Sequence, residues 1–138
     1  MQIIHKDKYM VIEFDEDRKI TFSKWTKETK SMTNKEMREA IVIASSLMKK
    51  YKPKYYLANE RDRLFPYSKE IQSFVAETLI NAGLEVGLLK FAIISPTDIL
   101  VEFTTHQTAE IAKNVPIEVK HFKLEETAIS WLNEVTED

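Results

Sequence analysis

After Tyr51 the chain alternates between short apolar segments and stretches of helical period, and that order leaves few folds open. Lys54–Asn59, Lys90–Ile94 and Ile117–Phe122 read as strands, and each is followed by a helical pattern. Strand and helix in strict succession predict parallel strands joined by crossover helices. The run Tyr55, Tyr56, Leu57, Ala58 is apolar without interruption, as expected of a central strand covered on both faces.

The front end follows a different rule. Met10, Ile12 and Phe14 alternate with Val11 and Glu13, and the charged break Asp15-Glu16-Asp17-Arg18 leads into Ile20 and Phe22. Period-two alternation about a short polar turn is a hairpin with one wet face. Asp15 and Asp17 are read as turn residues, too well solvated for acid–base work. Ile3 and Ile4 are placed at the start of the same sheet, with Lys6-Asp7-Lys8 as a further turn. The expected fold is one α/β domain over residues 1–138, with a mixed sheet of about five strands and helices packed on it.

Helix boundaries are signalled locally. Thr33 and Glu36 form a capping box, with Met32 and Met37 at staple positions. Met37, Ala40, Ile41, Ala44, Leu47, Met48 and Tyr51 trace one face, and Pro53 stops the helix. Ser68 caps the second helix, whose inner face is Ile71, Phe74, Val75, Thr78, Leu79 and Ala82, and Gly83 is taken as its C′ residue. Asp98 opens a third. There, Thr104-Thr105-His106-Gln107-Thr108 interrupts the apolar pattern, and Thr104 with Gln107 fits a second capping box, so one helix and two remain open. Leu124, Ala128, Trp131, Leu132 and Val135 define the closing helix.

Composition excludes several functions. The chain has no cysteine, which removes disulfides, thiolate catalysis and cysteine-ligated metals. A formal net charge of −2 argues against nucleic acid as a partner. Gly83 and Gly87 are the only glycines, so neither a P-loop nor a dinucleotide fingerprint can be built. His5, His106 and His121 lack metal-ligand spacing. No apolar run approaches the ~20 residues of a membrane span, and the early charges Lys6 and Asp7 do not fit a secretory signal. The expected location is cytoplasmic, with no cofactor.

Tyr51-Lys52-Pro53-Lys54, Leu57-Ala58-Asn59-Glu60-Arg61, Ser68-Lys69-Glu70-Ile71-Gln72, Gly87-Leu88-Leu89-Lys90-Phe91-Ala92 and the closing Phe122, Ala128, Trp131 and Leu132 together resemble the STAS-like proteins. These are relatives of bacterial anti-sigma factor antagonists, and the resemblance is to a branch common in Bacteroidetes. It covers roughly residues 8 to 133 and implies a regulatory module that acts by binding another protein. It also implies a phosphorylated Ser or Thr at the head of the helix after a central strand, where this chain has Ser68. The family's Asp-Ser-Ser/Thr-Gly motif is replaced here by Arg61-Asp62-Arg63-Leu64-Phe65-Pro66-Tyr67-Ser68. An outline relationship to CRAL-TRIO lipid-transfer domains implies an alternative, a carrier or sensor of a small apolar or anionic ligand.

Ligands of open parallel sheets bind beyond the carboxyl ends of the strands. That rule gathers Asn59, Glu60, Arg61, Asp62, Arg63, Ser95, Thr97 and Asp98, to which Tyr67 is added from the long charged loop. Asn59, Arg61, Asp62, Arg63, Tyr67, Thr97 and Asp98 are the candidate interaction or ligand residues. Ser68 is the candidate phosphoacceptor, since a phosphate at a helix N-terminus could pair with Arg61 or Arg63; a plain N-cap by itself accounts for the serine and is the preferred reading. No residue is assigned to catalysis or metal binding. His106 with Thr104, Thr105 and Asp98 is the nearest approach to a nucleophile–base cluster, and no elbow motif supports it. Trp131 is expected in the core, Trp25 in the core or as a partner anchor. An interaction module predicts a filled core and a contact surface near Glu60–Ser68, with a homodimer as one possible assembly. A carrier predicts a cavity of several hundred Å3.

Overall fold

A computed structural model defines residues 1–134; Val135, assigned above to the closing helix, lies outside the described residues. Six strands form one sheet in chain order: β1 (Gln2–Lys6), β2 (Met10–Asp15), β3 (Ile20–Trp25), β4 (Tyr55–Asn59), β5 (Lys90–Ile94) and β6 (Glu118–Phe122). The first three are antiparallel neighbours, and β3 through β6 run parallel. The strand that takes the count from about five to six is β1, at the position where Ile3 and Ile4 were placed at the start of the sheet. It forms because Asp7 closes a second hairpin, accepting hydrogen bonds from the amides of Tyr9 at 2.7 Å and Met10 at 2.9 Å. At the β2–β3 turn Asp15 accepts from the Arg18 amide at 3.1 Å and from its Nε at 2.7 Å, and Lys19 takes φ +57°.

Three helices cover one face: α1 (Asn34–Tyr51), α2 (Lys69–Val86) and α3 (Ile99–Ile111), with α1 against α2 and α2 against α3. Parallel strands added in one direction, each through a crossover of the usual hand, place their helices on the same side. Among the described residues one helix, α4 (Glu125–Leu132), lies on the other face, against β4, β5 and β6. The strand period sorts side chains accordingly. Met10, Ile12, Trp25, Tyr56 and Ala58 pack under α1 and α2, while Ile20, Leu57, Ala92 and Ile94 pack under α4.

The local signals act as read at α1, where the capping box of Thr33 and Glu36 is complete, and at Ser68, which accepts from the Ile71 amide at 3.3 Å. Gly83 is a correction. The second helix runs on to Val86, and Gly87 takes the left-handed conformation, φ +75°, that ends it. Gly83 lies inside the helix because β6 leads in close beside it. A Cβ there would stand 3.0 Å from Ile117 Cδ1 and 3.2 Å from Leu88 Cδ2.

The region from 98 to 113 resolves as one helix. No capping box forms between Thr104 and Gln107; instead the Thr104 and Thr105 hydroxyls donate to the Val101 carbonyl, and Thr108 donates to that of Thr104. Hydroxyls that bond one turn back ride inside a helix without breaking it. Val101, Thr104, Thr105, Thr108 and Ala112 then form one buried stripe, so the threonines continue the periodicity that they seemed to interrupt.

Candidate functional site

The parallel strands deliver Trp25, Asn59 and Ile94 to one end of the sheet, and the loops that follow are tied together there. The Thr97 amide and hydroxyl both donate to the Arg61 carbonyl at 3.2 Å, and the Glu60 amide donates to that of Ile94 at 3.0 Å. Asn59 Oδ1 accepts from the Arg61 amide at 3.0 Å, and Asp98 caps α3 by accepting from Val101 at 3.0 Å. The structure therefore brings Asn59, Arg61, Asp62, Thr97 and Asp98 into one neighbourhood. Of these Arg61, Thr97 and Asp98 are exposed.

Arg63 and Tyr67 turn the other way. Arg63 has no solvent-accessible side-chain surface, an unusual position for a charge unless it is fully paired. Its Nε donates to Glu60 Oε2 at 3.2 Å, its two terminal nitrogens donate to the Phe65 carbonyl and to Thr105 Oγ1, and its guanidinium lies 3.9 Å from the Tyr67 ring centroid. Burial pushes the Glu60 carboxyl above its ordinary range, opposed by the charge and hydrogen bond of Arg63 and by a bond from the Trp25 side chain. Burial likewise raises Tyr67, and it pushes Tyr56 up to about 12.

The loop is held from every side. The Leu64 amide donates to Thr29 Oγ1 at 2.9 Å, in a short 3-10 helix at Lys27–Ser31, and the Tyr67 amide donates to Thr104 Oγ1 at 3.2 Å. Gln72 Nε2 donates to the Tyr67 carbonyl at 3.1 Å and to Gln107 Oε1 at 3.0 Å. Residues 60–68 thus form a closed latch against α2 and α3. Neither of the two buried cluster members on the candidate list, Arg63 and Tyr67, is presented to a partner on this surface. Thr29 and Gln72 were not among the sequence candidates, and Thr104 and Thr105 were considered only beside His106. For the two α3 threonines the available signal was their place on the inward helical stripe.

The latch forms one wall of an apolar cavity of about 80 Å3 between α2, α3, β5 and β6. Glu60, Tyr67 and Thr105 line its polar end; Val75, Leu79 and Phe91 are among the apolar residues around the rest. Outside, a different surface appears. Ile99 is 85% exposed, Leu100 59% and Phe103 59%, all at the head of α3. Leu124, which follows β6 at the same end of the sheet, is exposed as well. Ser68 is exposed at the head of α2, where its hydroxyl caps the helix.

The nucleophile–base arrangement around His106 does not assemble. Thr104 and Thr105 face inward, whereas His106 is exposed and stacks on His121 with centroids 3.9 Å apart. Among the described residues no group of three His, Asp or Glu side chains could hold a metal ion. The His121 Nδ1 is buried with no hydrogen-bond partner among the described residues, and burial, with His106 adding to it, lowers the His121 pKa to about 4. A base whose folded pKa is depressed contributes stability above its unfolded value of about 6.5, and that stability is lost as pH falls toward about 4. Thermal melts between pH 6.5 and 4.5 should show a falling Tm that His121→Phe makes flatter. Parallel pH profiles for the two proteins would rule out this role for His121.

No model of a known protein family matches the chain, and neither does any curated protein or solved structure. What the fold and the site define is a mixed six-stranded α/β sheet with a buried ion-pair latch at the carboxyl ends of its parallel strands. Among the described residues, no helix is long and apolar enough to cross a membrane.

Proposed function

We propose that this protein is a non-catalytic regulatory module, STAS-like in character and cytoplasmic, that works by binding another protein at the head of α3. The observation that carries this reading is the group Ile99, Leu100 and Phe103, large apolar side chains left in water on a helix anchored by Val101 and the buried threonines. Contiguous apolar surface of this kind marks interaction sites. Around it the polar candidates Arg61, Asp62, Thr97 and Asp98 supply the hydrophilic rim found at protein interfaces. The interior supports the same reading, because about 80 Å3 falls well short of the roughly 300–1,000 Å3 of an ordinary ligand pocket.

The test is affinity capture from the source cells with the wild type and with Leu100→Ser/Phe103→Ser. Both positions are exposed, so the double variant should keep its Tm, each change lying within about 0.5 kcal/mol. The wild type should retain a specific protein at near-stoichiometric level, and the variant should lose it. Equal recovery by both proteins, or no specific retention by either, would remove the reading.

The cavity beside Glu60 supports a second reading, a sensor of a small apolar molecule. It predicts chemical-shift changes confined to Leu79, Phe91 and Thr105 when the protein is equilibrated with xenon or a small hydrocarbon, the usual occupants of small dry cavities. Spectra that do not change would leave the cavity as a packing defect.

A further inference from the structure

The sheet ends in two edges, and they differ. β1 carries a register break between Ile3 and His5, a device that turns an edge away from further pairing. β6 keeps one register along all five residues, and no strand lies beyond it among the described residues. Its inner side is defined at both ends: the Glu118 amide donates to the Leu89 carbonyl at 3.1 Å, and the Ser95 amide donates to the Phe122 carbonyl at 2.8 Å. Successive residues of a strand aim their backbone groups at opposite edges, so Glu118, Lys120 and Phe122 bond β5. Val119 and His121 direct N–H and C=O outward.

We propose that this free edge pairs with β6 of a second copy of the chain, antiparallel about a two-fold axis at Val119, to make one continuous twelve-stranded sheet (two sheets of six). Charge selects both the partner and the register. With Val119 opposite its own counterpart, Glu118 of each copy lies opposite Lys120 of the other, twice over, at the closely spaced positions of an antiparallel ladder. The two neighbouring registers that keep the outward groups paired would set Lys120 against Lys120, or Glu118 against Glu118. Both are repulsive. A row of one sign would guard the edge; opposite signs two residues apart complement themselves in a single alignment.

The α3 side of the edge fits the same partner. Val119 is half-buried there beside a groove of about 460 Å3 whose lining mixes apolar Ala112, Val115 and Ile117 with polar Glu110, Lys113 and His121. Pairing about Val119 brings the two grooves together across the axis and covers both Val119 side chains. Such an interface is isologous, as the two-fold symmetry of most homodimers requires. It lies on the far edge of α3 from the latch and is independent of the partner proposed above.

Sedimentation equilibrium over a range of concentrations tests this. The wild type should associate to twice its 16.2 kDa chain mass. Glu118→Lys and Lys120→Glu should each weaken association by about tenfold or more, since each turns two attractive pairs into two repulsive ones. The double swap Glu118→Lys/Lys120→Glu should restore it, an outcome that a loss of folding cannot imitate. Val119→Pro removes an amide that only the dimer uses, and should give a folded monomer by circular dichroism. A wild-type monomer at every concentration would overturn the proposal, as would a dimer that the single reversals leave unchanged.

Discussion

Arg63→Met should destabilise the protein by about 3–5 kcal/mol, the range for removing one partner of a buried ion pair. The guanidinium supplies three hydrogen bonds and lies over Tyr67, with none of its side chain in water. Without it the Glu60 carboxylate remains largely buried with no cation beside it, and the Phe65 carbonyl and Thr105 hydroxyl lose their donor. The loss is a large part of the roughly 5–15 kcal/mol that holds a domain together. The double variant Glu60→Gln/Arg63→Met should regain most of it, because removing both charges removes the uncompensated one. Urea unfolding of the two variants decides the matter. A single variant within about 1 kcal/mol of wild type would mean that water reaches the cluster and does the work of the arginine.

Trp131→Ala should lower stability by a similar amount, about 3–5 kcal/mol, through a different route. The eight residues of α4 are too few to be helical alone. They are held by Ala128, Trp131 and Leu132 on Ile20, Leu57, Ala92 and Ile94. Trp131 also meets Phe122 at 5.6 Å between centroids, and buried Lys90 lies 5.1 Å from its ring. Lys90 Nζ donates to the Trp131 carbonyl at 2.8 Å, tying a cation to the negative end of the helix. Loss of the indole leaves a cavity that eight residues cannot close and exposes that face of the sheet. Hydrogen exchange should show 125–132 losing protection before the rest of the chain. A Trp131→Ala protein that keeps α4 protected and loses less than about 1 kcal/mol would show that Lys90 and Leu132 suffice.

Much of the architecture was legible because it is declared within a few residues. Thr33 with Glu36, Ser68 with Ile71 and Asp15 with Arg18 are contacts three residues apart, so each boundary could be read where it stands. The same holds for the order of strands and helices. Gly83 was misplaced for the opposite reason. A glycine near a helix end reads as a cap, and only the approach of Ile117, from the far side of the next crossover, shows that it is there for space.

The candidate site divides along the same line. Its address, the carboxyl ends of the parallel strands, follows from the topology that the sequence announces, and Asn59, Arg61, Asp62, Thr97 and Asp98 gather there. Which charges would be buried was not announced. Arg61 and Arg63 are alike in a linear reading, yet one is exposed and the other is closed in by Thr105, forty-two residues away. Local patterns determine where the chain turns, caps and alternates, because those interactions close within a turn or a pleat. The fate of a polar side chain depends on which distant partners the packed layers bring within hydrogen-bond reach, and only the tertiary structure decides that.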